Sequence, residues 1–310
     1  MGLYNKQSFL KRFLNRWWWV SLVIIVGFGL VIADFKINQE PPGFNGQRAY
    51  QDVEVQMSFG PRTPGSDAHQ QTVVYMKKEL KQAGWDVSEQ LDERMGHPIK
   101  NIVAKRGQGK PWIILGAHYD CRFFADHDPD PQNRKQPVPG ANDGASGVAV
   151  LLELARALPD NLDKEIWLLM IDAEDQGGFS GWDWSLGANA FADNLEILPQ
   201  AVVIVDMVGD RDLNIYYEKN SDGVIMREIW NEAAEIGYQD RFIPTDRFSM
   251  IDDHIPFKQK GIPAVDIIDF NYPFWHTTAD TIDKITADSL QTVGSTLYNW
   301  LLNTRGDWSF

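Results

Sequence analysis

Ile166-Trp-Leu-Leu-Met-Ile-Asp-Ala-Glu-Asp175 opens with six unbroken apolar residues and closes with three acids in four positions. The apolar run is too short for an isolated helix and is bounded by charge. It fits a strand buried on both faces in the middle of a mostly parallel sheet. Open α/β sheets bind ligands just beyond the carboxyl ends of their strands. Crowded carboxylates there repel one another unless a cation or a shared proton compensates. Asp172, Glu174 and Asp175 therefore suggest a metal ligand beside a proton-transferring acid, with a solvated acidic loop as the plainer alternative.

Other strand ends finish in the same way. Outward from the central strand, strands are expected over 101–105 and 112–117, as neighbours, the second ending in His118-Tyr-Asp120. A Pro- and Asp-rich insertion over 122–139 leads into Gly140-Ala-Asn-Asp-Gly-Ala-Ser-Gly147. The apolar spacing over 148–158 then predicts a helix, which puts Asp143 at a glycine-lined helix amino terminus. Further strands are expected over 201–205, ending in Asp206, over 213–217 and over 264–268. Helices are expected from Ser66-Asp67, a capping pair, to about 84, and over 185–194, 222–236 and 287–303. Strands alternating with helices imply an α/β fold of three layers, αβα, around a central mixed, mostly parallel sheet. Asp252, Asp253 and His276 lie in the later loops. Imidazole and carboxylate groups at successive strand ends make a low-coordination site of the type zinc takes. No His-Glu-x-x-His motif and no internal repeat are present.

Composition narrows the function. At 310 residues, 44% hydrophobic and 23% charged, the chain has ample material for one large domain. A formal net charge of −14 argues against nucleic acid and against a broad anionic-membrane surface. With Cys121 the only cysteine, no intramolecular disulfide is possible. Lys6, Lys11, Arg12 and Arg16 precede an uncharged apolar run over 17–33, and Asp34 follows it. That pattern predicts a signal anchor or cleaved signal peptide over 1–34, with contact to the membrane through this segment only and the rest outside the cytoplasm. Residues 35–48, with Pro41-Pro-Gly43, read as a linker, and 49–310 as a single catalytic domain.

The motifs resemble the zinc aminopeptidase superfamily, in order from Gly60-Pro-Arg-Thr-Pro-Gly-Ser66 and His118-Tyr-Asp120 to Gly140–Gly147 and Asp172-Ala-Glu-Asp175. Asp206-Met-Val-Gly209, Asp252-Asp-His-Ile-Pro-Phe257 and Trp275-His-Thr277 continue the series. Within it the chain is most similar to the glutaminyl cyclases. Asp252 stands where the aminopeptidases usually carry serine, and Trp275 directly precedes the histidine, as in cyclases. The resemblance implies one zinc held by Asp143, Asp175 and His276, the aspartate at 175 replacing the glutamate of animal members. It implies Glu174 as general acid/base, held by Asp206 and Asp252 through a hydrogen-bond chain. Trp275 and one of Trp182 or Trp184 would wall the substrate pocket, with Trp184 preferred, and His118 would orient groups near the metal. The implied substrates are peptides or proteins with amino-terminal glutamine. The alternative is a two-zinc aminopeptidase, in which His118 and Asp206 hold one ion, Asp175 and His276 the other, and Asp143 bridges.

Overall fold

The computed structural model describes residues 43–109, 112–306 and 308. Its centre is a six-stranded sheet in the order β1 (Asp86–Arg94), β2 (His97–Arg106), β4 (Glu165–Ile171), β3 (Trp112–His118), β5 (Ala201–Asp206) and β8 (Ala264–Ile268). From β4 to β8 the pairing is parallel, and β2 alone runs against both of its neighbours. The sheet is therefore mixed and mostly parallel, as the alternating pattern implied.

The strands at 101–105 and 112–117 are not neighbours, contrary to expectation. β4 lies between them, pairing antiparallel with β2 and parallel with β3. The reason is burial: an inner position demands apolar residues on both faces, and β4 supplies them. Ile166, Leu168 and Met170 face one core and Leu169 and Ile171 the other.

Five helices pack on the first face of the sheet: α1 (Gly46–Ser58), α2 (Asp67–Gln82), α3 (Ala145–Ala157), α5 (Gly223–Glu235) and α7 (Ala287–Asn303). The second face carries α4 (Leu186–Asp193) and α6 (His254–Gln259). A separate parallel pair, β6 (Ile215–Glu218) and β7 (Phe242–Phe248), and a short 3-10 helix, Ile282–Lys284, complete the described elements. Local signals set the helix starts. The Ser66 hydroxyl accepts the His69 amide at 3.1 Å, and Asp222 accepts those of Val224 and Ile225 at 2.9 and 3.0 Å. α3 can press its first turn against β5 because Gly147 has no side chain: a Cβ there would lie 2.1 Å from the Val205 carbonyl oxygen.

The linker expected over 35–48 ends earlier. Phe44 is buried against Gly294 of α7, Asn45 caps α1, and the helix begins at Gly46. Burying the Phe44 ring outweighs the local loop-like composition. The expected anchor over 1–34, and the linker up to residue 42, lie outside the described residues. Among the described residues no helix is long and apolar enough to cross a membrane.

Candidate active site

Four parallel strands deliver their carboxyl ends to one edge, and the backbone there is bent in unusual ways. Among the described residues five non-glycine positions have positive φ, and four of them sit at this edge: Ala173 (52°), Ser185 (57°), Met207 (47°) and His276 (55°). Each costs on the order of 1 kcal/mol or more, which the surrounding packing must offset. The turn at Ala173 breaks β4 so that Glu174 and Asp175 both project inward. The buried Asp120 carboxylate then fixes that turn, accepting the Glu174 and Asp175 amides at 3.0 and 3.3 Å and the Gln176 side-chain amide at 3.0 Å.

Asp143 is fixed through its main chain. Asp280 accepts the Asn142 and Asp143 amides at 2.9 and 3.1 Å, and Tyr272 donates to the same carboxylate at 2.6 Å. Arg62, fully buried, donates to the carbonyls of Tyr119, Pro139 and Gly140 around this turn. The motif 60–66 thus acts as a brace and contributes no group to the cavity.

The fold brings Asp143, Asp175 and His276 together. Their ligand atoms lie within 4.8 Å of one another, and all three residues are buried. His276 Nε2 is 2.9 Å from Asp175 Oδ1 and 3.7 Å from Asp143 Oδ2. Those separations bracket the ~3.3 Å expected between ligands held at ~2.0–2.1 Å around a tetrahedral zinc. Asp143 Oδ2, Asp175 Oδ2 and His276 Nε2 are buried and make no hydrogen bond. Burial holds the His276 imidazole down, to about 3, so it is neutral and keeps a lone pair. Burial and the facing Asp143 carboxylate push Asp175 well above the usual carboxylate range, a conflict that a cation relieves. The donor set fits zinc.

A second buried triad, His118, Asp143 and Asp206, shares Asp143 with the first. His118 Nε2 lies 3.1 Å from Asp206 and 3.2 Å from Asp143, and Nδ1 lies 3.5 Å from Asp120. Burial alone would lower the pKa of His118, but these carboxylates raise it well above its ordinary value. Burial raises Asp206 to about 7 in spite of His118.

Glu174 faces Asp252 and Asp253, the three carboxylates within 4.8 Å of one another. Burial and then the Asp252 charge push Glu174 well above the usual range. Among the described residues no hydrogen bond joins Glu174 to Asp206 or Asp252, so the expected chain through them is absent. Asp206 accepts from His118 and Asp252 from the Asp253 amide, so Asp252 acts on Glu174 through space. Ser185 Oγ donates to Glu174 Oε1 at 3.5 Å.

A cavity of about 360 Å³ opens over these groups, walled by Trp184, Trp275, Phe270 and Ile251. Trp184 lies parallel to the His276 ring at 6.0 Å, and Trp275 stacks on it at 3.7 Å. Trp182 turns away and stacks on His97 at 3.6 Å. A larger groove of about 660 Å³, among Trp112, Trp167 and Leu198, is lined by no histidine and lies at the strands' amino ends, away from this chemistry. Asp253, which the sequence placed beside Asp252 without a role, has a wholly buried carboxylate that makes no hydrogen bond, and sequence reasoning left out Arg122 and Asp126 behind His276.

Comparison with known proteins agrees with the geometry. The chain is similar to the glutaminyl cyclase of Porphyromonas gingivalis, with 32% identity, a TM-score of 0.79, and coverage of 84% of this chain and 99% of that one. A Zn-dependent exopeptidase from Parabacteroides distasonis superposes equally well, with a TM-score of 0.79, 30% identity, and coverage of 85% and 99%. The glutaminyl-peptide cyclotransferase of the snake Boiga irregularis is 25% identical over 284 residues, covering 75% of this chain and 74% of that protein. Residues 101–301, the stretch that carries every strand end at this site, match peptidase family M28, and the chain belongs to that family.

Proposed function

We propose that this enzyme is a glutaminyl-peptide cyclotransferase: it converts the amino-terminal glutamine of peptides to pyroglutamate and releases ammonia. The observation that carries the reading is Asp252 buried against Glu174 beneath the aromatic walls of the cavity. The cyclase relatives support it. Asp143, Asp175 and His276 would hold one zinc ion, which supplies Lewis acidity to the γ-amide of the bound substrate. Trp184 and Trp275 hold the glutamine side chain and keep bulk water from the reacting carbon, which matters because ring closure must outrun hydrolysis. Glu174, kept protonatable by burial and by Asp252, takes the proton from the attacking α-amine and gives it to the departing ammonia. The new bond joins the α-nitrogen to the γ-carbon, the broken bond frees the amide nitrogen, and no water is consumed.

A second reading, a two-zinc aminopeptidase, is favoured by one observation: the His118–Asp143–Asp206 triad shares Asp143 with the first, as two bridged ions would require. Zinc per chain, measured alongside ammonia release from a Gln-peptide and amino acid release from aminoacyl amides, separates the two. One zinc with ammonia release supports the cyclase. Two zincs with only amino acid release would exclude it.

We further propose that the catalytic domain is exported and tethered through the segment before Asp34, on the basic flank and apolar run of the sequence. A reporter fused after Asn38 should be protease-accessible from outside the cytoplasmic membrane. A protected reporter would refute the topology.

A further inference from the structure

The first residues of the segment 122–139 close around the back of His276. The imidazole has two edges. Nε2 faces Asp175 and Asp143, while Nδ1 is buried, makes no hydrogen bond, and lies 3.6 Å from Asp126 Oδ1. The His127 amide donates to the His276 carbonyl at 3.2 Å, which holds this segment against the ring's own backbone. Asp126 is itself held in a fork: Arg122 donates from Nε to Oδ1 and from Nη2 to Oδ2, each at 2.8 Å. The remaining guanidinium nitrogen of Arg122, a buried residue, donates to the Asp175 carbonyl at 2.9 Å. One side chain thus connects the backbone of Asp175 to the carboxylate behind His276.

Asp126, His127 and His276 also lie close enough to suggest a cation site of their own. Both Asp126 oxygens are taken by the guanidinium, and a cation there would sit against its charge, so that use is disfavoured. At 3.6 Å the approach of Asp126 to Nδ1 is a charge contact and not a hydrogen bond. A sub-ångström tilt of the ring would close it.

We infer that the Arg122–Asp126 pair is a positioning unit that keeps the proton of His276 on Nδ1 and turns the Nε2 lone pair towards Asp143 and Asp175, and so sets the affinity for zinc. A carboxylate behind a ligating imidazole fixes its tautomer and raises its basicity, and loss of such partners weakens metal binding by about 10–100-fold. The inference rests on the reading of His276 as a ligand.

The test uses the full chain, stripped of metal, with zinc titrated against a chromophoric chelator. Asp126→Asn keeps an acceptor but loses the charge. The double variant Arg122→Met/Asp126→Leu removes both charges of the fork together, and Arg122→Met alone, which takes the guanidinium from 3.7 Å off Asp175 Oδ1, controls for that loss. The double variant should bind zinc about 10–100-fold more weakly and Asp126→Asn by a smaller factor, with melting of the metal-free proteins unchanged. If both bind zinc within twofold of wild type while His276→Ala loses it, the positioning role is wrong and the ligand reading stands. If His276→Ala keeps its zinc, the ligand reading fails and takes the inference with it. Weakened binding that merely tracks a fall in metal-free melting would reduce the pair to a structural role and overturn the inference.

Discussion

Asp252→Asn changes one charge and almost no volume at the wall of the cavity, and its two effects should have opposite signs. The carboxylate oxygens of Glu174, Asp252 and Asp253 lie within 4.8 Å of one another, and all three residues are buried. At about that separation two unit charges repel by about 3 kcal/mol in an effective dielectric of ~20. This is the same repulsion that, after burial itself, holds Glu174 above the usual carboxylate range. Asparagine keeps the oxygen that accepts the Asp253 amide. The fold should therefore gain stability, by about 1–2 kcal/mol once shared protons are allowed for, or a few degrees in melting temperature.

Turnover should move the other way. On the proposed cyclase reading, Glu174 without Asp252 loses the neighbour that keeps a proton available for the departing ammonia. Proton transfer of this kind is worth about 10²–10⁴-fold, so kcat should fall by that order. KM should stay within about threefold, because the missing interaction matters in the transition state more than in the bound substrate. Ammonia release from a Gln-peptide, zinc content and melting temperature, all measured on the same samples, test the argument. A variant with kcat within threefold of wild type would refute it, as would a loss of turnover that follows a loss of zinc.

Two further perturbations probe the surroundings. Burial raises Asp269 to about 7 although the Asn214 and Asn271 amides donate to it at 2.8 and 3.0 Å. Its folded pKa exceeds the ordinary ~3.9, so the native state binds the proton more tightly, and stability is lost as pH rises from about 4 through 7. Asp269→Asn should match wild type near pH 4 and be more stable near pH 8, by at most roughly 4 kcal/mol; an equal offset at both pH values in chemical denaturation would sink this assignment. Gly177→Ala would place a Cβ 2.0 Å from the Trp184 ring, which must then swing out of the cavity wall. KM for a Gln-peptide should rise by about tenfold with zinc retained, at an overpacking cost of about 1–3 kcal/mol; an unchanged KM would mean that Trp184 does not contact substrate.

Much of this architecture was legible along the chain because it depends on local periodicity. The apolar run of β4, the capping Ser66 and Asp222, and the glycine turn before α3 all act over a few residues, and each emerged close to where the pattern put it. The elements that escaped notice are those whose signal is weak by nature. β1, Asp86–Arg94, is an exposed edge strand full of charge, β7, Phe242–Phe248, is mostly exposed, and α6, His254–Gln259, is a helix of six residues. α1 starts inside apparent linker sequence because Phe44 finds a buried place on α7, far away in the chain.

The residue types of the site were likewise determined by the sequence: carboxylates and imidazoles at strand ends have few other uses in such numbers. Which of them meet was decided by tertiary structure alone. Trp182 and Trp184 are indistinguishable by type and two positions apart, and the turn before Ser185 sends one to His97 and the other to His276. Asp126 looked like one acid among several in a Pro-rich insertion until the fold set it between Arg122 and the far edge of His276, 150 positions away in sequence. Periodicity reports which face of an element is buried, because that depends on neighbours a turn away. It carries no record of which distant side chain lies opposite, because strand order and loop closure, and not local spacing, bring those atoms together.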